Sequence, residues 1–304
     1  MAVTGKFSSV VVVIIIYNRP NYLKKLLKKL NKFELSRIYI ISDGPKNDPN
    51  DINLVKKTRN LINDICKRKK IFKIYSKNNL GLRKSIITGL NQVFKREKQA
   101  IILEDDCIPT KEFFLLTKIL LKKFKNNKDI VSICGSNHLS YWDKGNTYYL
   151  QSKYFNSWGW ATWSDRWKQI NFNPKYLLNK NNNKKILNRL GSYRALFYWR
   201  YILKKILHKK INSWAYTYNY YYFLRKKYHL IPTKNLIKNI GIGKNSTNTK
   251  KLPVKYSFKK FTKNKYSFSN LIRNRSKSIK YDKEVEDRVF SKSLINRIKW
   301  FFSN

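Results

Sequence analysis

Acid is what this chain has least of. Its 304 residues carry 17 Asp and Glu against 66 Lys and Arg, a formal charge of +49. Cysteine is also sparse, with only Cys66, Cys107 and Cys134. An odd, sparse set gives no disulfide framework and fits a reducing compartment. Cys134 and His138 stand four apart, as metal ligands can, but no second pair lies nearby to complete a zinc site. His208 and His229 sit among basic and aromatic residues and read as structural. Long apolar runs are missing too. Val10–Ile16 spans seven residues, far short of a membrane span, and Tyr17-Asn18-Arg19-Pro20 follows it in place of a small-residue cleavage site. It reads as a buried strand. No GxGxxG, no GxxxxGK[ST] and no GxSxG occurs. The dinucleotide fingerprint, the P-loop and the hydrolase elbow are thereby unsupported.

What is present points to a globular body. Hydrophobic residues make up 42% and aromatics 15%, enough to build a core. The length suits one α/β domain with an extension, or two small domains. The positive charge draws toward nucleic acid or an anionic membrane. AT-rich codon usage would inflate Lys, Asn, Ile, Tyr and Phe together, but it does not explain the shortage of acid. A positive coat would favour anionic lipid by up to about 1 kcal/mol per basic residue near the surface.

The first part alternates strand and helix. Val10–Ile16 is a β-branched run of the kind buried on both faces of a sheet. Pro20-Asn21 opens a helix with Leu23, Leu26, Leu27 and Leu30 at i, i+3, i+4 and i+7. Ile38–Ser42, Ile71–Tyr75 and Ala100–Leu103 read as further strands, and Lys46–Asn53 as a loop. Helices are expected around Val55–Ile65, Ile86–Phe94 and Phe113–Phe124. Strands separated by helices imply a parallel sheet with right-handed crossovers. Each strand ends in polar or turn residues: Asn18-Arg19, Asp43-Gly44, Lys77-Asn78-Asn79 and Glu104-Asp105-Asp106. Such ends converge at one edge, where a nucleotide would lie. Three adjacent carboxylates there suit a hard divalent cation, or else form a solvated acidic turn.

Beyond Gly135 the character changes. Ile130–Cys134 is a short strand, and Tyr148–Phe155 alternates like an antiparallel one. Ser157–Trp167 holds four Trp. That run is either a Trp-rich core or a ligand surface, since Gly159 between two indoles permits close backbone approach. Lys184–Lys210 reads as basic, aromatic helices. The end, Leu294–Phe302, reads as a docked or interfacial amphipathic helix.

These residues add up to a resemblance. The opening strand with Tyr17-Asn18-Arg19-Pro20, then Ser42-Asp43-Gly44, Asn78-Asn79-Leu80-Gly81, Leu103-Glu104-Asp105-Asp106, Trp158–Trp163 and Asn239-Ile240-Gly241 resemble bacterial family-2-like glycosyltransferases of the GT-A fold. Some of that group are labelled hemolytic-protein-like. The chain is similar, more distantly, to eukaryotic N-acetylglucosaminyltransferase I. The likeness covers roughly residues 8 to 245. It implies an α/β fold with a mostly parallel central sheet flanked by helices. It divides the chain into a domain over 1–245, with a nucleotide-binding half (1–110) and a sugar/acceptor half (111–245), and a basic helical or irregular extension over 246–304. The implied activity is a hexosyl- or N-acetylhexosaminyltransferase using a nucleotide-sugar donor and Mn²⁺ or Mg²⁺. By the same resemblance Tyr17, Asn18 and Arg19 lie against the nucleotide, and Asp43 contacts base or ribose. Asn79, Gly81, Arg83 and Lys84 belong to a segment closing over the nucleotide. Asp106 matches the metal ligand, and Glu104 and Asp105 support it and reach the donor sugar or ribose. Trp158, Gly159, Trp160 and Trp214 form the donor-sugar and acceptor pocket.

One departure matters. Related enzymes often carry Trp-Asp at Trp214, and that acid is the expected general base of inverting transfer. Here Ala215 and Tyr216 follow Trp214. Asp165 is the nearest acid by motif, but an ion pair with Arg166 competes for it. The base is therefore unassigned, and inversion rests on analogy. A nucleotidyltransferase and a nucleic-acid-binding protein are the competing readings. The first lacks a Gly-rich triphosphate loop. The second requires a basic stripe rather than an acidic pocket. The acceptor is expected to be a saccharide or a glycolipid, as in surface polysaccharide assembly. The location is expected to be cytoplasmic, with peripheral attachment to the anionic inner face of a bacterial membrane.

Overall fold

A run of β-branched residues with no polar break is stable only where both faces of a strand are covered, and Val11–Ile16 (β1) is buried at every position. The computed structural model describes residues 10–33, 35, 37–65, 70–142, 148–242 and 279–291. After β1 come α1 (Pro20–Leu30), β2 (Arg37–Ser42), α2 (Pro49–Ile65), β3 (Lys70–Tyr75), α3 (Leu82–Arg96) and β4 (Gln99–Glu104). Next are β5 (Cys107–Pro109), α4 (Lys111–Lys123), β6 (Ile130–Cys134), β7 (Tyr149–Ser152), β8 (Trp160–Trp163) and α5 (Ser164–Lys168). The helices α6 (Pro174–Leu177), α7 (Asn183–Leu190), α8 (Tyr193–Leu207) and α9 (Ala215–Leu224) precede β9 (Tyr228–Pro232) and β10 (Ile237–Asn239). Last is α10 (Ile279–Val285), which continues into a π-helical turn, Glu286–Ser291.

The chain folds as two units. The first takes residues up to Asn126, Trp158–Lys168 and the segment starting at Leu236. Its strands run in the order β3-β2-β1-β4-β8. The first four are parallel, and β8 closes the row antiparallel to β4. Helix α1 buries Leu23, Leu26, Leu27 and Leu30, the predicted stripe. Thr110 caps α4 by accepting from Phe113 N at 3.2 Å. A two-stranded ribbon pairs β5 with β10 antiparallel. The expected loop over Lys46–Asn53 is shorter than read. Helix α2 already begins at Pro49, because proline at the first helical position loses no hydrogen bond and Asp51 favours the positive end of the helix.

The second unit is built from Asn127–Ser157, Gln169–Asn235 and the C-terminal helix. Here β6 and β9 are parallel, and β7 lies antiparallel on β9, as its alternation predicts. Of the extension expected after residue 245, the described part is helical and tied down by acids. Asp282 accepts from Ser152 Oγ at 2.5 Å and from Lys153 N at 3.2 Å. Glu286 accepts from Tyr154 OH, and Tyr281 OH donates to Asn137 at 3.0 Å. The amphipathic end predicted at Leu294–Phe302 lies outside the described residues. No described helix is long and apolar enough to cross a membrane.

Candidate active site

The parallel register sets the strand ends level. Ile16 lies opposite Ser42, Ser42 opposite Tyr75, and Ile15 opposite Glu104. The residues that follow each strand therefore emerge along one edge, where open α/β sheets bind ligands. Three hydrogen-bonded groups stand there.

The first joins the ends of β1 and β4. Arg19 donates to both carboxylate oxygens of Asp105 and, at 2.9 Å, to Asp106 Oδ2. Asp105 N is itself held by Ile15 O at 3.1 Å. Burial opposes the guanidinium charge, yet Asp105 and Asp106 outweigh it and hold Arg19 firmly protonated. One cation does not offset three acids. Burial, then repulsion from Asp106, pushes the Glu104 carboxyl up, and burial with Asp106 does the same to Asp105 despite Arg19. Crowded hard oxygen donors whose ionisation burial and mutual repulsion oppose fit a divalent cation, which would relieve that repulsion. Among the described residues, no three His, Cys, Asp or Glu converge into a cage. A cation held by one or two carboxylates, with substrate phosphates filling the other positions, needs no such cage.

The second group centres on Asp51. It accepts from Tyr17 OH at 2.5 Å, Asn18 Nδ2 at 2.7 Å and Lys46 N at 2.7 Å. Burial works against its charge, but these bonds win and hold the carboxyl below its ordinary range. Burial and the Asp51 bond push the Tyr17 phenol up. The third group closes the ends of β2 and β3. Asp43 Oδ1 accepts from Gly44 N and Leu80 N, both at 2.9 Å. Asn79 bridges the second and third groups, donating to Tyr17 OH at 3.0 Å and Gly44 O at 2.8 Å. Arg59 supports the same turn through Ser42 Oγ, Asp43 O and Ser76 O, with its guanidinium 4.6 Å from the Tyr75 ring centre.

So Tyr17, Asn18, Arg19, Asp43, Asn79, Glu104, Asp105 and Asp106 gather on one edge. Gly81 precedes α3 with φ +77°. Arg83 is half-buried with its pKa lowered by burial, and Lys84 is exposed. The ribbon adds a contact. Ile240 N donates to Asp106 O at 2.9 Å, and a Cβ on Gly241 would meet Asp106 Cγ at 2.8 Å. Only glycine lets the chain pass this close to the carboxylate.

The indoles are placed differently. Trp160 is 1% exposed on β8, with its ring 6.1 Å from that of Trp167. Gly159 has φ +63°, and a Cβ there would come within 2.6 Å of the Ile237 side chain. Its neighbour at that point is protein. Trp158 is half-buried. Trp214 belongs to the second unit, 3% exposed against Phe155 and Tyr218. Asp165 does pair with Arg166, at 2.8 Å. Sequence reasoning missed Asp51, Arg59 and the part played by Gly241. An Asp two residues beyond Pro49 was the available signal for Asp51.

Residues 11–207 match the family model described as Glycosyl transferase family 2. No curated protein matches the chain. Solved structures that it resembles include UDP-glucose pyrophosphorylase complexed with UDP-glucose, at 10% identity over 76% of this chain and 93% of that one, TM-score 0.35. The apo form of a UDP-glucose pyrophosphorylase gives the same identity and coverage, TM-score 0.37. A third is 4-diphosphocytidyl-2C-methyl-D-erythritol synthase from Anaerococcus prevotii DSM 20548, at 12% identity over 57% of this chain and 77% of that one, TM-score 0.32. Likenesses this low carry nothing about function.

Proposed function

The chain belongs to glycosyl transferase family 2, and we propose that its carboxylate edge holds a nucleotide-diphospho-sugar with a divalent cation and passes the sugar to a saccharide or lipid-linked acceptor. Nucleotide-sugar transfer follows from the family. The metal, the acceptor and the residue roles are our reading. The observation that carries it is the Arg19–Asp105–Asp106 cluster at the level strand ends.

In this reading residues 1–110 supply the nucleotide-binding half. Tyr17 and Asn18, fixed by Asp51, present a rigid wall to the nucleoside. Asp43 and Asn79 hold the two loops beside it in register. Gly81, Arg83 and Lys84 open α3 close to the phosphates. Asp106 is the residue that would hold Mn²⁺ or Mg²⁺, with Glu104 and Asp105 behind it, and the cation when bound supplies charge neutralisation to the departing diphosphate. Arg19 orients the two aspartates and keeps their oxygens on the ligand side of the ribbon. Trp158 would border the sugar, with Gly159 turning the chain beside it. Trp160 would shape that border from within, since it is buried; Trp214 belongs to the second unit. The acceptor hydroxyl needs a base, and no residue is assigned to that role. Transfer to a lipid-linked acceptor would place the protein at the anionic inner face of a membrane.

The test is a panel of UDP-, GDP- and dTDP-sugars with Mn²⁺ or Mg²⁺, read by nucleotide release. One donor is expected to give metal-dependent release that Asp106→Ala abolishes. Triphosphate formation from a sugar donor and pyrophosphate, without transfer, would replace this reading by nucleotidyl transfer.

A further inference from the structure

Large hydrophobic side chains that stand in solvent singly need no explanation, but neighbours on one helix face do. Few are exposed among the described residues, and two lie one turn apart on α8: Tyr193 at 67% and Phe197 at 65%. Tyr201, half-exposed, continues the i, i+4 row, and Lys205 lies 5.2 Å from the centre of its ring. Exposed Lys204 falls on the same face of the helix, and exposed His208, Lys209 and Lys210 extend it at the C-terminal end. The opposite face is packed, with Leu196, Trp199, Ile202, Leu203 and Ile206 buried. The row is therefore no accident of a loosely held helix. Ser192 caps its start by accepting from Ala195 N, so the aromatic row is presented on a formed, 15-residue helix about 22 Å long.

The surrounding charge has one sign. From Arg166 to Lys280 and on to Tyr281 the sequence contains no Asp or Glu at all. Residues 169–210, which carry α6, α7 and α8, contain only Lys and Arg as charged residues. A helix face with exposed aromatic rings and lysines beside them matches a lipid interface, where rings settle at headgroup level and lysine stems reach back to the phosphates. A single strand of nucleic acid would instead be held along a groove, and the rings here stand on the outward face of one helix.

We infer that the exposed face of α8, built on Tyr193 and Phe197 with the lysines around Lys204, is a docking surface for an anionic phospholipid bilayer. The inference rests on the reading of an acceptor carried at a membrane, and it moves the attachment from the chain terminus to a folded helix of the second unit. Anionic headgroups supply the charge complement and the rings add a part that salt does not screen.

The experiment uses the full chain and vesicles of phosphatidylcholine with or without phosphatidylglycerol, in a co-sedimentation assay at low and high salt. Four proteins are compared: wild type, Tyr193→Ser/Phe197→Ser, Lys204→Glu, and Trp300→Ser/Phe301→Ser. Wild type is expected to bind only the anionic vesicles. The Tyr193/Phe197 variant should lose on the order of tenfold or more in partitioning with an unchanged melt and unchanged nucleotide release from the sugar donor. Lys204→Glu should weaken binding at low salt and matter less at high salt. Undiminished binding by the Tyr193/Phe197 variant overturns the inference, as does a loss confined to the Trp300/Phe301 variant. RNA binding tighter than vesicle binding and equally sensitive to Phe197 overturns it in favour of nucleic acid. Dimerisation abolished by the same substitutions overturns it in favour of self-association. A wild type that binds anionic vesicles but turns over no sugar donor would count against the transferase reading alone.

Discussion

Replacing Gly241 by alanine tests whether the position of the Asp106 carboxylate matters. The backbone at this point has little room to retreat, because Ile240 N is bonded to Asp106 O at 2.9 Å and Gly241 N to Asn239 Oδ1 at 2.8 Å. A new Cβ would stand 2.8 Å from Asp106 Cγ and 2.9 Å from its Cβ, with Oδ2 nearer still. Ordinary contact between carbons begins at about 3.5 Å, so the carboxylate must shift by on the order of 1 Å. The bond from Arg19 to Asp106 Oδ2, now 2.9 Å, is the first to break. Overpacking of this kind costs roughly 1–3 kcal/mol of stability. A displacement of about 1 Å at a reacting centre costs about a hundredfold in rate. The assay is metal-dependent nucleotide release from the donor that the panel identifies, beside a thermal melt. Asp106→Ala alone should lose roughly 3 kcal/mol of transition-state stabilisation. The decisive comparison is the double variant. If Gly241 acts through Asp106, the alanine at 241 costs almost nothing more once Asp106 is gone, and the coupling approaches the whole single-site effect. Equal losses in both backgrounds, or full activity in Gly241→Ala, would refute the reasoning.

Asp51→Asn should raise the donor KM about tenfold or more with a smaller change in kcat, since Tyr17, Asn18 and Lys46 N all lean on that charged acceptor; an unchanged KM would separate Asp51 from the donor wall. Trp160→Ala should cost roughly 3–5 kcal/mol and the cooperative melt with it, as loss of a buried indole does; an intact melt with lost turnover would instead mark Trp160 as a contact to the sugar. Acid should weaken the second unit through its two buried imidazoles. Burial lowers His138 to about 4 and holds fully buried His229 well below its ordinary value, so below pH 6.5 the unfolded chain binds more protons than the folded one and stability falls. Between pH 7.5 and pH 5 each contributes a loss of about 2 kcal/mol, while Asp282, whose carboxyl burial raises, works in the opposite sense. Subtracting the pH profile of a His229→Gln variant from that of wild type, both by urea unfolding, isolates the histidine; a flat difference would show that His229 is not held neutral.

The parts of this fold that the sequence made legible are those where one period dominates. The β-branched run of β1, the Leu23–Leu30 stripe and the alternation of strand with helix through β4 all read correctly; β1 is wholly buried and α1 is buried along one clean face. The C-terminal helix was not legible for the opposite reason. Its buried residues, Tyr281, Val285 and Phe290, are spaced by four and then five, because the helix passes into a π-turn and leaves the 3.6-residue period. The carboxylate edge was half legible. Glu104-Asp105-Asp106 stood out after an apolar run, whereas Asp51 was hidden in a polar stretch that looked like a loop. For Trp160 the sequence left core and ligand surface both open, because an indole count does not say which face of a strand an indole takes.

The acids themselves carry a final inference about what shaped this sequence. The chain holds 17 of them, and among the described residues Asp43, Asp51, Glu97, Asp105, Asp106 and Glu286 are buried. Every one has a named hydrogen-bond or ion-pair partner: Leu80 N, Tyr17, Tyr39, Arg19 for the two aspartates of the triplet, and Tyr154. A solvated carboxylate is worth a few tenths of a kcal/mol. Removing a buried one strands its donor at a cost of roughly 1–3 kcal/mol. These buried carboxylates therefore mark positions held by bonding, and four of the six stand on the one edge formed by the ends of β1, β2 and β4 and the start of α2. That concentration exceeds what holding a fold together requires of a parallel sheet, whose strands are already secured by apolar burial. The excess is the reason to look for ligand binding there.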